Sequence, residues 1–552
     1  MSRWSRISLV WHTVRYLRPV QIYGRLWSRR ARVTPRGKAR PPLHVPSGGW
    51  LPPAARQASL IGPEEYCFLN VRGNLSEVGW NGPQRDTLWR YNQHYFDDLN
   101  AQDSQSRREW HIALLRDWVR DNPPVAGTGW EPYPLSLRIV NWLKWHWSGE
   151  TLPPECVDSL AMQVRHLYRR VEWHLLGNHI LANAKALVFA GIAFEGAEAQ
   201  RWLEKGLRIL TRQLSEQILP DGGHFELSPM YQSVVLEDML DLINAAQASG
   251  GRIPQLLISQ WQEIAGRMCG WLLTMTHPDG EIAFFNDAAM GIAATPGELA
   301  AYSSRLGVRV SAWLERSGDE APEIQVLGDS GYFRLHSRSA VALLDVARIG
   351  PDCLPGHAHA DTLSFELSIH DHRIIVNGGT SRYGTDAQRL AERSTAAHST
   401  VEVDGQNSSE VWSGFRVARR ARPFDLYHRR RDGAVVVACS HDGYRRLSGH
   451  PVHRRTWEFS ETSMTVSDTV SARRDSAIAR FLLHPAVEVS TVTSRRWELR
   501  VSAGVTVGFD VLDGDASLVE ARYAPGFGVV RATTCIAVQL RDGQSRITMA
   551  WA

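Results

Sequence analysis

Between about residue 65 and residue 320, apolar residues recur at three- and four-residue intervals. Stretches 114–119, 135–147, 164–176, 180–192, 202–214, 234–246 and 261–275 each predict an amphipathic or buried helix. Helices of this length joined by short loops suggest stacked hairpins, as in an α/α toroid or a solenoid. No fixed-period repeat is present, which argues against a binding-repeat array. From about residue 330 the period changes to two. Phe365, Leu367 and Ile369 alternate with polar neighbours, and 400–403, 435–437, 464–466 and 501–511 are further strands. Asp404-Gly405, Asp432-Gly433 and Gly378-Gly379 supply turns between them. The second half therefore reads as a long antiparallel β region, most simply a sandwich. The boundary falls in the acidic, Gly- and Pro-bearing stretch 317–331. This divides the chain into an arm (1–64), a helical domain (65–325) and a β domain (326–552).

Composition changes little. The 552 residues are 43% hydrophobic and 22% charged, which excludes a collagen, a disordered tail protein and a membrane bundle. Six cysteines lie far apart with no CxxC pair, so neither a disulfide scaffold nor a cysteine zinc site is expected.

Charge adds more. The formal net charge of +4 hides an asymmetry: the first acidic residue is Glu64, and twelve Lys/Arg precede it, eleven of them between Arg3 and Arg40. No uninterrupted apolar core of signal-peptide length follows the first arginines, and no run approaches a membrane span. A cytoplasmic location is the expectation. Trp4, Ile7, Trp11, Val14 and Leu17 recur at helical spacing among Arg3, Arg6, Arg15 and Arg18. Such a helix either contacts the inner membrane face or a partner peripherally, through residues 1–40, or packs on the body of the protein.

Four clusters carry candidate chemistry. Gly177-Asn178-His179 opens a helix with an amide donor beside a titratable imidazole, although a capping role explains it equally. Residues 220–231 form a Gly/Pro loop holding Glu226 and Tyr231; the phenol can exchange a proton, and the carboxyl can pair with an arginine or act as an acid. Gly356-His357-Ala358-His359-Ala360-Asp361 places three ligand-type side chains on one face if the segment is extended. His398, just before a strand, could share a zinc with His359.

Together and in this order, 177–187 (GNHILANAKAL), 221–232 (DGGHFELSPMYQ), 356–367 (GHAHADTLSFEL) and 398–405 (HSTVEVDG) resemble the heparinase II/III-like polysaccharide lyases. The resemblance covers most of the chain from about Trp89 onward. It implies an incomplete α/α toroid followed by an antiparallel β-sandwich, with a cleft between them that cleaves acidic polysaccharides by β-elimination. By motif, Asn178 would neutralise the uronate carboxylate, and His179 or Tyr231 would take the C5 proton. Tyr231 would protonate the leaving oxygen, and His357 would complete the pocket. Arg138, Glu226 and Arg393 are further substrate contacts. A structural zinc on His359, Asn377 and His398 is also implied, but Asn377 stands where relatives carry an aspartate, and an amide is a poorer ligand. Asp361 could orient a histidine instead.

Two other readings compete. A glycoside hydrolase would need two carboxylates across the bond; Asp221, Glu226 and Asp287 are available but leave the histidines unexplained. A catalytically silent polysaccharide-binding protein would keep the fold. Trp130, Trp142, Trp145 and Trp173 could stack on sugars, although large aromatics more often fill cores. The arginine run 416–431 could meet a polyanion or form a solvated strand face. An acidic poly- or oligosaccharide is the expected partner, a nucleic acid is not, and a place beside polysaccharide assembly fits the lack of an export signal.

Overall fold

The computed structural model describes residues 3–30, 39–310, 322–472, 474–501 and 504–552. Helices α1 (Arg3–Val14) and α2 (Pro19–Arg30) precede a short hairpin of β1 (Glu65–Phe68) and β2 (Val71–Asn74). A series of helices follows: α3 (Leu75–Val78), α4 (Thr87–Tyr95), α5 (Arg108–Asp121), α6 (Pro132–Trp147), α7 (Pro154–Arg169), α8 (Gly177–Ala193), α9 (Gly196–Gln217), α10 (Pro229–Ala248), α11 (Gln255–Thr274) and α12 (Pro296–Arg305). Tryptophans dominate their core, with Trp89, Trp118, Trp142, Trp202 and Trp261 almost fully buried. Of the four tryptophans considered as sugar platforms, Trp130, Trp142 and Trp145 are core residues, and Trp173 is 40% exposed.

The sheets begin at Glu323. Strands β3 (Glu323–Leu327), β4 (Tyr332–His336), β5 (Ala340–Asp345), β6 (Phe365–Ile369) and β7 (His372–Ile375) form an antiparallel meander. An eight-stranded sheet and a four-stranded sheet follow. Phe333 and Leu344 of the meander, Val437 and Trp457 of the larger sheet, and Phe481 and Ile536 of the smaller one share a single core. Alternate residues of strand His453–Phe459 point into that core, the pattern of a sheet with one solvated face. The chain is an incomplete α/α toroid followed by an antiparallel β-sandwich. The toroid core runs on into Val376, Leu482, Tyr523 and Phe527 of the sheet half, which fixes the two halves against each other.

Several expectations change. The helix expected over 164–176 stops at Arg169; 170–176 form a non-helical connection, and Leu176 and Gly177 adopt φ of +61° and +55° where the chain enters α8. Asp432-Gly433 is the expected tight turn, with both residues left-handed. Gly378-Gly379 is not a turn; it lies against neighbouring backbone, with Gly378 N–H donating to Ala397 O at 2.9 Å and its carbonyl accepting from Ala524 N–H at 2.7 Å. Helices α4 and α12 lack an apolar stripe strong enough to read from sequence. Part of the expected boundary, 317–321, lies outside the described residues. In the arginine run, Arg429, Arg430 and Arg431 sit on an exposed strand at the edge of the larger sheet, where charge discourages edge-to-edge pairing. Among the described residues, no helix is long and apolar enough to cross a membrane.

Candidate active site

The site lies on the seam between toroid and sandwich. Its first element is the start of α8. Gly177 is required there: a Cβ would come within 2.6 Å of both Glu226 Oε1 and Leu354 Cδ2. That close approach brings Asn178 and His179 beside the Glu226 loop. Asn178 is buried, with its amide nitrogen 3.5 Å from the Tyr133 hydroxyl. His179 stacks on Tyr133, ring centroids 4.4 Å apart, and its Nδ1 faces Glu172 Oε2 at 3.4 Å. Glu172 orients one nitrogen and leaves the other for a substrate. Tyr133 also lines a polar cavity of about 70 Å³ with Lys185 and Asp238, which extends the site into the toroid.

Tyr231 sits in the first turn of α10. Ser228 caps this helix by accepting the Tyr231 N–H, and donates its own hydroxyl to Asp287 O at 2.5 Å. The cap ties the helix to the loop that carries Asp287. The Tyr231 hydroxyl bonds the Tyr383 hydroxyl at 3.0 Å, and its ring packs on His357 with centroids 4.1 Å apart. Burial, then the Tyr383 phenol and the Glu226 carboxyl, push the Tyr231 phenol well above its ordinary value. Glu226 is buried, and among the described residues no side-chain donor lies within hydrogen-bonding distance of its oxygens; His357 Nε2 stands 3.7 Å from Oε2. Burial raises its pKa, against the opposing pull of His357 and His179.

Asp287 is the hub of the sandwich side. Its carboxylate accepts from His357 Nδ1 at 2.9 Å, from His359 Nε2 at 2.8 Å, from Thr380 Oγ1 at 3.3 Å and from both terminal nitrogens of Arg389. Burial alone would raise its pKa, but Arg389 and the two imidazoles outweigh that and hold it well below the usual carboxylate range. With Nδ1–H committed to Asp287, His357 has a fixed tautomer and presents Nε2. Arg389 lies over the Tyr383 and Phe415 rings, so one cation braces both the carboxylate hub and the second phenol. Leu176, Leu227 and Asn286 all adopt positive φ, each next to or one residue from a site residue. Strain of this kind collects where geometry is set by function.

The sequence-based candidates separate clearly. Asn178, His179, Glu226, Tyr231 and His357 come together on the seam. Arg138 does not join them: it is fully buried in the toroid on Gln163, His94 O and Gly129 O, with its plane 3.7 Å over Trp118. Arg393 is likewise buried and donates to Ala358 O, Ser413 O and Gly414 O; it holds the histidine-bearing loop and faces no opening. Both are corrected from substrate contacts to structural residues, because every guanidinium is spent on protein acceptors. Asp287 was visible only as a spare carboxylate. Tyr383, Arg389, Tyr133 and Glu172 were missed, since single residues, whether in loops or within helices as Tyr133 and Arg389 are, leave no periodic or motif signal.

The metal candidates form a hydrogen-bonded pair. His359 Nδ1 and His398 Nε2 face each other at 3.1 Å, and the outer nitrogens serve Asp287 and Ser394 O. Burial lowers the pKa of both imidazoles, His359 to about 4. A metal between them would need further ligands. Asn377 offers none, because its Oδ1 accepts from Ser399 N–H and its Nδ2 donates to Ser364. Asp361 turns away to accept the Asn286 N–H at 2.9 Å. Among the described residues, no three His, Cys, Asp or Glu are grouped to hold a metal ion. The donor set does not fit a structural zinc, which favours a closed set of four nitrogen, sulfur or carboxylate ligands.

Comparison with known proteins agrees with this arrangement. Residues 83–301 match the heparinase II/III N-terminus, and 319–551 match the heparinase II/III-like C-terminal family. A heparin-sulfate lyase of Pedobacter heparinus is 25% identical over 331 residues, covering 55% of this chain and 49% of that protein. A heparin-sulfate lyase of Bacteroides stercoris is 23% identical over 450 residues, covering 72% of this chain and 64% of the relative. The chain therefore spans between half and two-thirds of the length of these lyases. The FtsZ-localized protein C of Caulobacter vibrioides is 26% identical over 462 residues, covering 76% of this chain and 75% of the relative. Among solved structures, a heparinase III superposes with a TM-score of 0.66 at 18% identity, covering 83% of this chain and 76% of the other, which bears on the fold alone. With both family models matched in the order toroid then sandwich, and the four motifs converging at their seam, the chain belongs to the heparinase II/III-like family.

Proposed function

We propose that the protein is a polysaccharide lyase that cleaves a uronic-acid-containing acidic polysaccharide by β-elimination. The observation that carries this reading is the convergence on one seam of an amide, two carboxylate-backed imidazoles and a buried phenol. Removing the C5 proton builds negative charge on the uronate carboxylate, so the site must supply donors there and a positioned base. Asn178 donates from its amide. Glu226, buried beside the start of α8 and 3.7 Å from His357 Nε2, lines the same pocket. His179, backed by Glu172, takes the proton. Tyr231 fits the acid: a phenol held this far above its ordinary value keeps its proton until the glycosidic oxygen departs. His357, fixed by Asp287, packs against Tyr231 and sets its position.

The hydrolase reading loses support, because two of its three carboxylates are committed. Asp221 accepts from Gly223 N–H and from Ser330 N–H and Oγ, and Asp287 is bound to Arg389. The silent binding reading predicts that the polysaccharide is held without being cut. A screen of acidic polysaccharides for new ultraviolet absorbance from an unsaturated uronate separates the readings. The lyase gives absorbance, and a binder gives retention without it.

A further inference from the structure

Helices α1 and α2 contribute nothing to the seam chemistry, yet they strap its two halves together. On the sandwich side, Arg419 Nη2 donates to Ser8 Oγ at 2.9 Å and Trp412 Nε1 donates to Thr13 Oγ1 at 3.0 Å. Gln21 Nε2 also donates to Cys353 O at 3.0 Å, in the sandwich-side loop that leads to His357; on the toroid side, Arg18 pairs with Glu216 of α9. Gly24 lies directly on the loop before α8: a Cβ there would sit 2.8 Å from His174 Cβ. The arm is therefore seated on the body, as one of the two sequence readings expected. All of these contacts use one side of each helix.

The opposite side is apolar and open. On α1, Ile7, Val10, Trp11 and Val14 are 54%, 42%, 65% and 44% exposed. Their spacing of three, four and seven residues makes one continuous stripe. On α2, Ile22, Tyr23 and Leu26 are each at least half exposed. Because the inner faces are pinned, this exposure belongs to a fixed platform rather than to a loose terminus. Arg6, Arg15 and Arg25 are exposed beside the stripe, and no acidic residue occurs before Glu64. The side chain of Trp4 lies outside the described residues.

A contiguous apolar stripe on a fixed element marks a surface that something covers. Its chemistry selects the occupant. An acidic polysaccharide would pair with the arginines but gain nothing from isoleucine, valine and leucine. A second copy would bring two basic faces together, and like charges repel. An anionic bilayer satisfies both features: its phosphates take the arginines, and its acyl boundary takes the aliphatic and aromatic side chains. We infer that the outer face of α1 and α2 seats the protein on an anionic lipid bilayer. The same strap holds the loops that lead to His357 and Asn178.

The test is flotation of the full chain with vesicles of phosphatidylglycerol and phosphatidylcholine, against vesicles of phosphatidylcholine alone, at low and high salt. Binding is expected to the anionic vesicles only, and to weaken as salt rises. The triple variant Trp11→Ser/Tyr23→Ser/Leu26→Ser should bind at least about tenfold more weakly, since burial of such side chains is the other half of the attraction. All three positions are exposed, so its thermal unfolding should match the parent, and a soluble substrate should be turned over equally. Failure to float, equal flotation with both lipids, or undiminished binding by the triple variant would each overturn the proposal. So would a dimer in sedimentation that the triple variant dissociates, which would assign the face to self-association. None of these outcomes depends on whether the seam is a lyase.

Discussion

Replacing Asp287 by asparagine tests the hub on which the sandwich side of the site is built. The carboxylate is fully buried and holds both terminal nitrogens of Arg389, which is itself fully buried. Asn keeps the volume and one acceptor oxygen but removes the charge, leaving a buried guanidinium without its counter-ion, against the Gly414 carbonyl and two aromatic faces. Breaking a buried ion pair from one side costs about 3–5 kcal/mol. For a sandwich of this size, that corresponds to a fall in melting temperature of roughly 6–20 °C. His357 loses its orienting acceptor at the same time, so turnover should fall about 10²–10⁴-fold. Thermal unfolding and initial rates on a confirmed substrate measure the two effects. The double variant Asp287→Asn/Arg389→Leu removes the stranded cation, and should recover part of the melting temperature while activity stays lost. A single variant that melts within about 2 °C of the parent and keeps most of its activity would show that Asp287 is not the hub.

The remaining predictions address other links. Tyr231→Phe should lose about 10²–10⁴-fold in rate with little change in substrate binding or folding, since only a transferable proton is removed; Asn178→Ala should lose rate and also bind charged substrates more weakly, measured by direct binding and single-turnover rates. Arg138→Met should lower the melting temperature without changing the salt dependence of substrate binding, because its fork serves the toroid interior. Elemental analysis of the purified protein should find less than one zinc per chain, and Asn377→Asp should raise that content by adding a carboxylate; stoichiometric zinc that survives His398→Ala would contradict these ligands. Asp468, held down to about 2 by Arg455 and His453 against the cost of burial, contributes stability above the ordinary carboxylate range that is lost as pH falls toward 2. Asp468→Asn should therefore melt well below the parent at neutral pH, with the gap closing in acid.

How much was legible depends on whether the signal was periodic, clustered or neither. Helices with one buried face, such as α9, and strands such as Ser463–Val470 stood out because one-sided burial imposes a period on neighbouring residues. Asn178, Tyr231 and His357 stood out because each sits in a dense local cluster. The two arginines were misplaced for a general reason: the sequence shows a charge, but not whether carbonyls in the fold will use it up. Arg138 is consumed by two backbone carbonyls and the Gln163 amide and Arg393 by backbone carbonyls, whereas Arg389, in an unremarkable six-residue helix, clamps the central carboxylate. Tyr383 lies 152 residues from Tyr231, and only the folded chain brings the two phenols together. The basic arm kept two readings open because periodicity shows that a helix has an apolar side without showing which side packs. The structure places its polar side inward and its apolar side out.

The central claim is that bond cleavage begins with loss of a proton and adds no water. Cleavage of an acidic polysaccharide in heavy-oxygen water, followed by mass spectrometry of the fragments, tests it directly. Elimination predicts fragments whose masses sum to that of the parent, with no heavy oxygen incorporated and an unsaturated sugar at the new non-reducing end. Fragments that gain one labelled water at each cut would contradict the account and identify a hydrolase.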